Sequence, residues 1–220
     1  MSRHLLLCTL FAVLAVPASA QVSPQPETLP TPAEINQARA IADRIIDAAN
    51  VRDLFTNATT GALAEVVHKA SGLRCTFVGG PKDRIAVYPG RIVRGDDVSC
   101  VSRDEALDID LNLYATRYPE TPDEDEVIAI TEMAIKARFP DARRYGGAMA
   151  VATVEGQPRP QAVAYHITLD GKPKLTMGLV SHKGAWSYKA RATGPDENDA
   201  MMLSTYTSVL FSGAIMNTVP

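Results

Sequence analysis

Three closely spaced pairs of side chains suggest chemistry in this sequence: Ser181 before His182, Asp108 two residues from Asp110, and Lys189 two residues from Arg191. A serine beside a histidine offers a nucleophile with its base, but neighbours on an extended strand point to opposite faces and pair poorly. Asp108 and Asp110 share a face of any strand at about 7 Å Cα spacing, a separation in the range of the paired carboxylates of glycosidases. Every exposed i, i+2 pair has that spacing, so no catalytic residue is assigned. Lys189 and Arg191 also share a face, and the strand register developed below adds His166 to it. His166, Lys189 and Arg191 are therefore the candidate site for an anionic ligand.

The remaining reactive side chains read as structural. A nucleophile elbow needs Gly-x-Ser-x-Gly at a strand-to-helix turn, and Gly178 and Gly184 flank Ser181 at the wrong spacing. No His-Glu-x-x-His, phosphate loop or Gly-x-Gly-x-x-Gly occurs. His68 has no second ligand one turn away, and the run from Asp123 to Glu126 is explained as the acidic start of a helix rather than a calcium loop. No metal and no cofactor are expected. Cys8 belongs to an apolar leader, which leaves Cys75 and Cys100 as an even pair. Far apart and in strand-like segments, they suit a disulfide better than a redox dithiol, and closing about 25 residues stabilises a fold by roughly 3–4 kcal/mol.

An α+β domain must position these residues. Thr31-Pro32-Ala33-Glu34 opens a helix with a capping box, and Ile35, Ala38, Ile41, Ala42, Ile45, Ile46 and Ala49 give it one apolar face. A second N-terminal helix is predicted over 59–70, with Leu63, Val66, Val67 and Ala70 on one side, Gly72 as its stop and His68 partly exposed. Period-two segments follow at 75–78, 84–88 and 97–101. A longer strand then alternates Leu107, Ile109, Leu111, Leu113 and Ala115 with polar residues. Thr121-Pro122-Asp123-Glu124 repeats the capping box and opens a helix to about Arg138, which Phe139-Pro140 ends.

Strands over 161–169 and 173–182 are joined by Asp170-Gly171-Lys172. Pairing Leu169 with Pro173 sets Val163, Tyr165 and Ile167 opposite Leu179, Met177 and Leu175, which matches apolar with apolar. Lys183-Gly184 leads into a third strand over 185–192. Pairing His182 with Ala185 sets Leu179, Met177 and Leu175 opposite Tyr188, Ala190 and Ala192. His166 then stands opposite Thr176 on the face of Lys189 and Arg191, about six residues or roughly 20 Å along the ladder from His182. Those two histidines cannot share a metal ion. Pro195 opens a last helix with no charged side chain after Asp199, and its serines and threonines favour packing on the sheet over insertion in a membrane.

At the other end, Arg3 and His4, an apolar run over 5–16 and Ala18-Ser19-Ala20 have the form of a secretory signal peptide cut after Ala20. The expected organisation is a signal peptide over 1–20, a proline-rich flexible leader over 21–30 and a single α+β domain over 31–220. The protein is expected to be exported, periplasmic or secreted, with no stable membrane span once mature. A formal charge of −3 lacks the basic excess that nucleic-acid binding needs, and 46% apolar with 21% charged residues is ordinary for a soluble domain.

From Leu107 onward the order is a long strand, a Pro-capped helix, a meander containing Gly156 and Trp186-Ser187-Tyr188, and a closing helix. That order resembles the PsbP-like family of α/β/α sandwiches. The resemblance implies an antiparallel sheet with helices packed on it and a non-enzymatic extrinsic or accessory role, since such proteins are exported in bacteria and lumenal in thylakoids. It carries over no functional residue. Two readings follow. One is a non-catalytic binding or accessory protein of the cell envelope, with an envelope protein or a small ligand as partner. The other is an envelope hydrolase assembled from dispersed residues. A deep polar cleft with shifted carboxylates would favour the hydrolase, and a shallow or apolar groove the binding protein.

Overall fold

Helix α1 (Pro32–Ala48) begins as its sequence requires: the Thr31 hydroxyl accepts from the Glu34 amide at 3.3 Å, and the Glu34 carboxylate accepts from the Thr31 amide at 2.7 Å. These bonds favour the charged form and hold the Glu34 carboxyl below the usual carboxylate range. The structure is a computed structural model that describes residues 29–89, 93–155, 157, 159–196 and 200–216. The expected signal peptide and most of the leader lie outside the described residues.

Through Ala38, Ala42, Ile45 and Ile46, α1 packs against a small antiparallel sheet of β1 (Phe55–Asn57), β2 (Ala64–His68) and β3 (Arg74–Phe77), in that order. Strand β2 replaces the second N-terminal helix predicted over 59–70. Ala64, Val66 and His68 are buried while Glu65 and Val67 are half-buried, so the period is two. Two consecutive β-branched residues, Val66 and Val67, fit a pleated strand better than a helix. His68, expected on a partly exposed helix, is fully buried.

Seven strands make the main sheet: β4 (Arg84–Val87), β5 (Asp97–Asp104), β6 (Ile109–Arg117), β7 (Arg143–Arg144), β8 (Gln161–Leu169), β9 (Lys172–Lys183) and β10 (Trp186–Pro195). Their order is β4-β5-β6-β10-β9-β8-β7, antiparallel throughout. Cys75 on β3 and Cys100 on β5 form the expected disulfide. Helix α2 (Glu124–Arg138) lies over β8 and β9 on one face, and α3 (Ala200–Ile215) packs on β10, β6 and β9 from the other. The fold is α+β, an antiparallel sheet between helices. The start of α2 differs from expectation: Asp123, not Thr121, is the N-cap, and no side chain caps it. Glu124 is instead engaged by the sheet, accepting from the His182 amide at 2.9 Å.

Strands β8 and β9 pair Leu169 with Lys172, not with Pro173. The turn is the two residues Asp170 and Gly171, both with positive φ (52° and 72°), a hairpin whose twist matches that of the strands. This one-residue difference sets Val163, Tyr165 and Ile167 opposite Gly178, Thr176 and Lys174. Matching apolar with apolar misleads here because both faces are covered. Ile135 and Phe139 at the α2 side pack on Val163, Tyr165 and Ile167, while Leu175, Met177 and Leu179 belong to the main core. Strands β9 and β10 pair Lys183 with Trp186, two residues from the predicted pairing, which keeps the faces but moves the partners. Pro195 ends β10 opposite Lys174 rather than opening α3.

Helix α3 packs on the sheet as expected, and its polar residues have work there. Ser204 Oγ accepts from the Ala150 amide at 2.9 Å and Ser208 Oγ from the Ala152 amide. A stretch outside the sheet ladders thus finds its acceptors on the helix. Among the described residues no helix is long and apolar enough to cross a membrane.

Candidate functional site

An open groove of about 960 Å³ runs between α3, the β2–β3 hairpin and the β5–β6 hairpin. Its floor is apolar: Leu111 and Leu113 of β6, Phe77 of β3, and Leu210 and Ala214 of α3. Around its rim stand Leu63, Val78, Val209 and Met216, exposed by 53%, 63%, 58% and 52%. Isolated exposed apolar side chains are ordinary on a protein surface, but here two beside the β2–β3 hairpin and two at α3 line one groove, which makes it a candidate binding surface. The volume is that of a small-molecule site.

The groove lining also holds Arg74, which pairs through Nη1 with Glu65 while its Nε is buried without a partner among the described residues. Tyr206 donates to Asp104 nearby. Burial, and then the Asp104 charge, push its phenol up to about 12, so it is a neutral donor at physiological pH. None of these residues was singled out by sequence. The available signal was α3 itself, whose run from Ala200 to Ile215 is uncharged around its whole circumference, so that the side turned from the sheet must meet something else.

On the opposite face of the sheet a polar stretch lies beside the apolar cluster under α2. Strand β10 sets Lys189 and Arg191 side by side there, with Tyr114 and Asn112 of β6 on one flank and Val180 and Gly178 of β9 on the other. Lys189 Nζ lies 4.6 Å from the Tyr114 ring centroid, Tyr114 stacks on Tyr88 at 6.4 Å, and the Tyr88 hydroxyl is 3.1 Å from Ser99 Oγ. Burial, and then the Arg191 charge, pull the Lys189 ammonium below the usual lysine range; burial lowers Arg191 as well. Burial also pushes the Tyr114 phenol up.

The structure brings Lys189 and Arg191 together and leaves His166 out. The observed register places His166 opposite Leu175, on the other face. There its Nδ1 meets Asp196 Oδ1 at 2.8 Å and its ring leans on Tyr145, 5.5 Å between centroids. Asp108 and Asp110 are both taken by Arg103, with Lys174 also on Asp108 and Lys82 on Asp110 at 3.1 Å. Lys174, then Arg103, hold the Asp108 carboxyl below the usual range, the reverse of what a general acid needs. Ser181 is buried on the core face, while His182 stands across from Ser187 on the α2 face. Both ring nitrogens of His182 are buried without a hydrogen-bond partner, so no base is joined to Ser187. Among the described residues no group of three or more His, Cys, Asp or Glu could hold a metal ion.

No family model matches the sequence, and no curated protein matches it. Among solved structures, the crystal structure of LpqN, described as involved in cell envelope biogenesis of Mycobacterium tuberculosis, aligns with 63% of this chain and 84% of its own at 14% identity and a TM-score of 0.33. So distant a likeness transfers neither ligand nor partner.

Proposed function

We propose that the protein is exported and acts in the cell envelope as a non-catalytic binding protein, holding an amphipathic small molecule by its apolar chain in the groove beside α3. The observation that carries this reading is the convergence of Leu63, Val78, Val209 and Met216 on one groove with an apolar floor. A chain laid there gains about 25 cal/mol for each Å² of apolar surface removed from water. Its polar end would meet the polar side chains of the lining, Arg74 and Tyr206 among them. Export is supported by the form of residues 1–20 and by a disulfide that persists in oxidising compartments. Kinship with the PsbP-like proteins belongs to the same proposal: β6, α2, the β8–β10 meander and α3 keep the order on which that resemblance rests.

Titrating the mature protein with a fluorescent long-chain fatty acid tests the reading. The expected result is saturable one-to-one binding that Gly213→Trp removes. Gly213 lines the groove, and a Cβ added to it meets nothing within 4 Å, so the indole enters the groove without straining the helix. Binding that does not saturate, or that survives this variant at an unchanged melting temperature, would overturn the proposal. Hydrolysis of a simple ester by the pure protein, lost in Ser187→Ala, would replace it with the hydrolase.

A further inference from the structure

On the sheet face opposite the groove, Lys189 and Arg191 are neighbours on β10. Neither is in an ion pair among the described residues. Arg191 Nη2 is buried and has no hydrogen-bond partner. Asp97, the carboxylate acting on Lys189, accepts from Thr116 Oγ1 at 3.0 Å. Buried polar groups almost always have a partner, and like charges held together out of water raise the free energy of the fold unless an opposite charge joins them.

The surroundings hold the cations in place. Tyr114 lies against Lys189 and is itself backed by Tyr88, which Ser99 anchors. Beside Arg191, Gly178 contributes no side chain, and Thr131 of α2 closes over it. The result is an ammonium and a guanidinium side by side on one strand, with an aromatic ring against the ammonium. A guanidinium offers parallel donors that fit two oxygens of one tetrahedral oxyanion, and an ammonium supplies a third bond as a point charge.

We infer that Lys189 and Arg191 form a binding site for a phosphate group, carried by free phosphate or by a phosphorylated headgroup. The site lies on the sheet face away from the groove and does not depend on what the groove holds.

The test uses the full mature chain at constant ionic strength, titrated with inorganic phosphate and, separately, with vesicles of phosphatidylglycerol or of phosphatidylcholine. The readouts are the Arg191 Nε–Hε and Lys189 amide resonances and the melting temperature. Free phosphate as ligand predicts a saturable shift of both resonances and a phosphate-dependent rise in melting temperature. Arg191→Gln should weaken the phosphate dependence of the Lys189 amide resonance and of the melting temperature at least tenfold, and melt no lower than wild type without phosphate, because a repelling charge is gone. A headgroup ligand predicts instead co-sedimentation with phosphatidylglycerol but not phosphatidylcholine vesicles, lost in the same variant. If Arg191→Gln does not fold, Lys189→Met serves in its place. Absence of a saturable response to either probe, or a response that both variants retain, would overturn the site and leave an ordinary wetted sheet face.

Discussion

Cys75 and Cys100 join two sheets that share no strand: one cysteine sits on β3 of the small sheet and the other on β5 of the large one, 6.2 Å between Cα atoms. Both strands also line the groove, β3 through Thr76 and Phe77 and β5 through Ser102, Arg103 and Asp104. The bridge therefore sets the distance between two groove walls as well as closing a loop of 25 residues. Replacing both cysteines by serine should lower the unfolding free energy by about 3 kcal/mol in the chain-entropy account. Urea titration gives that value, and the fatty-acid titration of the same protein should show weakened binding. A variant that is destabilised yet binds as tightly as wild type would mean that packing alone holds the groove open.

The seating of α2 depends on a missing side chain. A Cβ at Gly178 would lie 2.8 Å from Thr131 Cγ2, and Thr131 is buried on the helix face turned to the sheet. The backbone of Gly178 is not in the left-handed region, so the effect of a substitution is contact and not conformation. Gly178→Ala should cost about 1–3 kcal/mol by overpacking. Adding Thr131→Ala removes the clashing methyl, and a double-mutant cycle on urea midpoints should return part of that loss. Simple additivity of the two changes would sink the explanation.

Local signals in the sequence were enough for several elements, though not for the start of α2, which Asp123 rather than Thr121 opens. Thr31 and Glu34 cap α1 as their types require, Cys75 and Cys100 pair, and the alternation from Ile109 to Ala115 is that of β6. Failures came where a second layer changed the meaning of a pattern. Val163, Tyr165 and Ile167 look like partners for Leu175, Met177 and Leu179 only if one face is buried, and α2 buries the other. The Asp170-Gly171 pair, with both residues at positive φ, was the stronger guide to register, and following it places His166 away from Arg191. Lys189 and Arg191 were legible because residues two apart on one strand share a face whatever the register. The groove was not, because the β2–β3 hairpin that Leu63 and Val78 flank, Leu111 of β6 and Val209 of α3 meet only in the folded molecule.

His68 makes stability depend on pH with a definite sign. Its ring lies in the core between Phe55, 4.9 Å between centroids, and Trp186 at 5.6 Å. Nδ1 is 2.8 Å from Ser71 Oγ, while Nε2 is buried with no partner. Burial, opposed in part by the Asp96 charge, lowers its pKa to about 4, against about 6.5 in the unfolded chain. Above pH 6.5 the imidazole is neutral in both states and its contribution is intact. As pH falls toward 4 the unfolded chain takes up a proton that the native core refuses, so stability declines through that window and levels off below it. The loss between pH 7 and pH 5 should be about 2 kcal/mol from this residue. Urea titrations at the two pH values, followed by the fluorescence of Trp186, should show a difference between wild type and His68→Gln of that size, with the variant flatter and less stable at pH 7. Equal pH dependence in the two proteins would mean that the native core accepts the proton, which a ring without a partner at Nε2 and packed between Phe55 and Trp186 is not built to do.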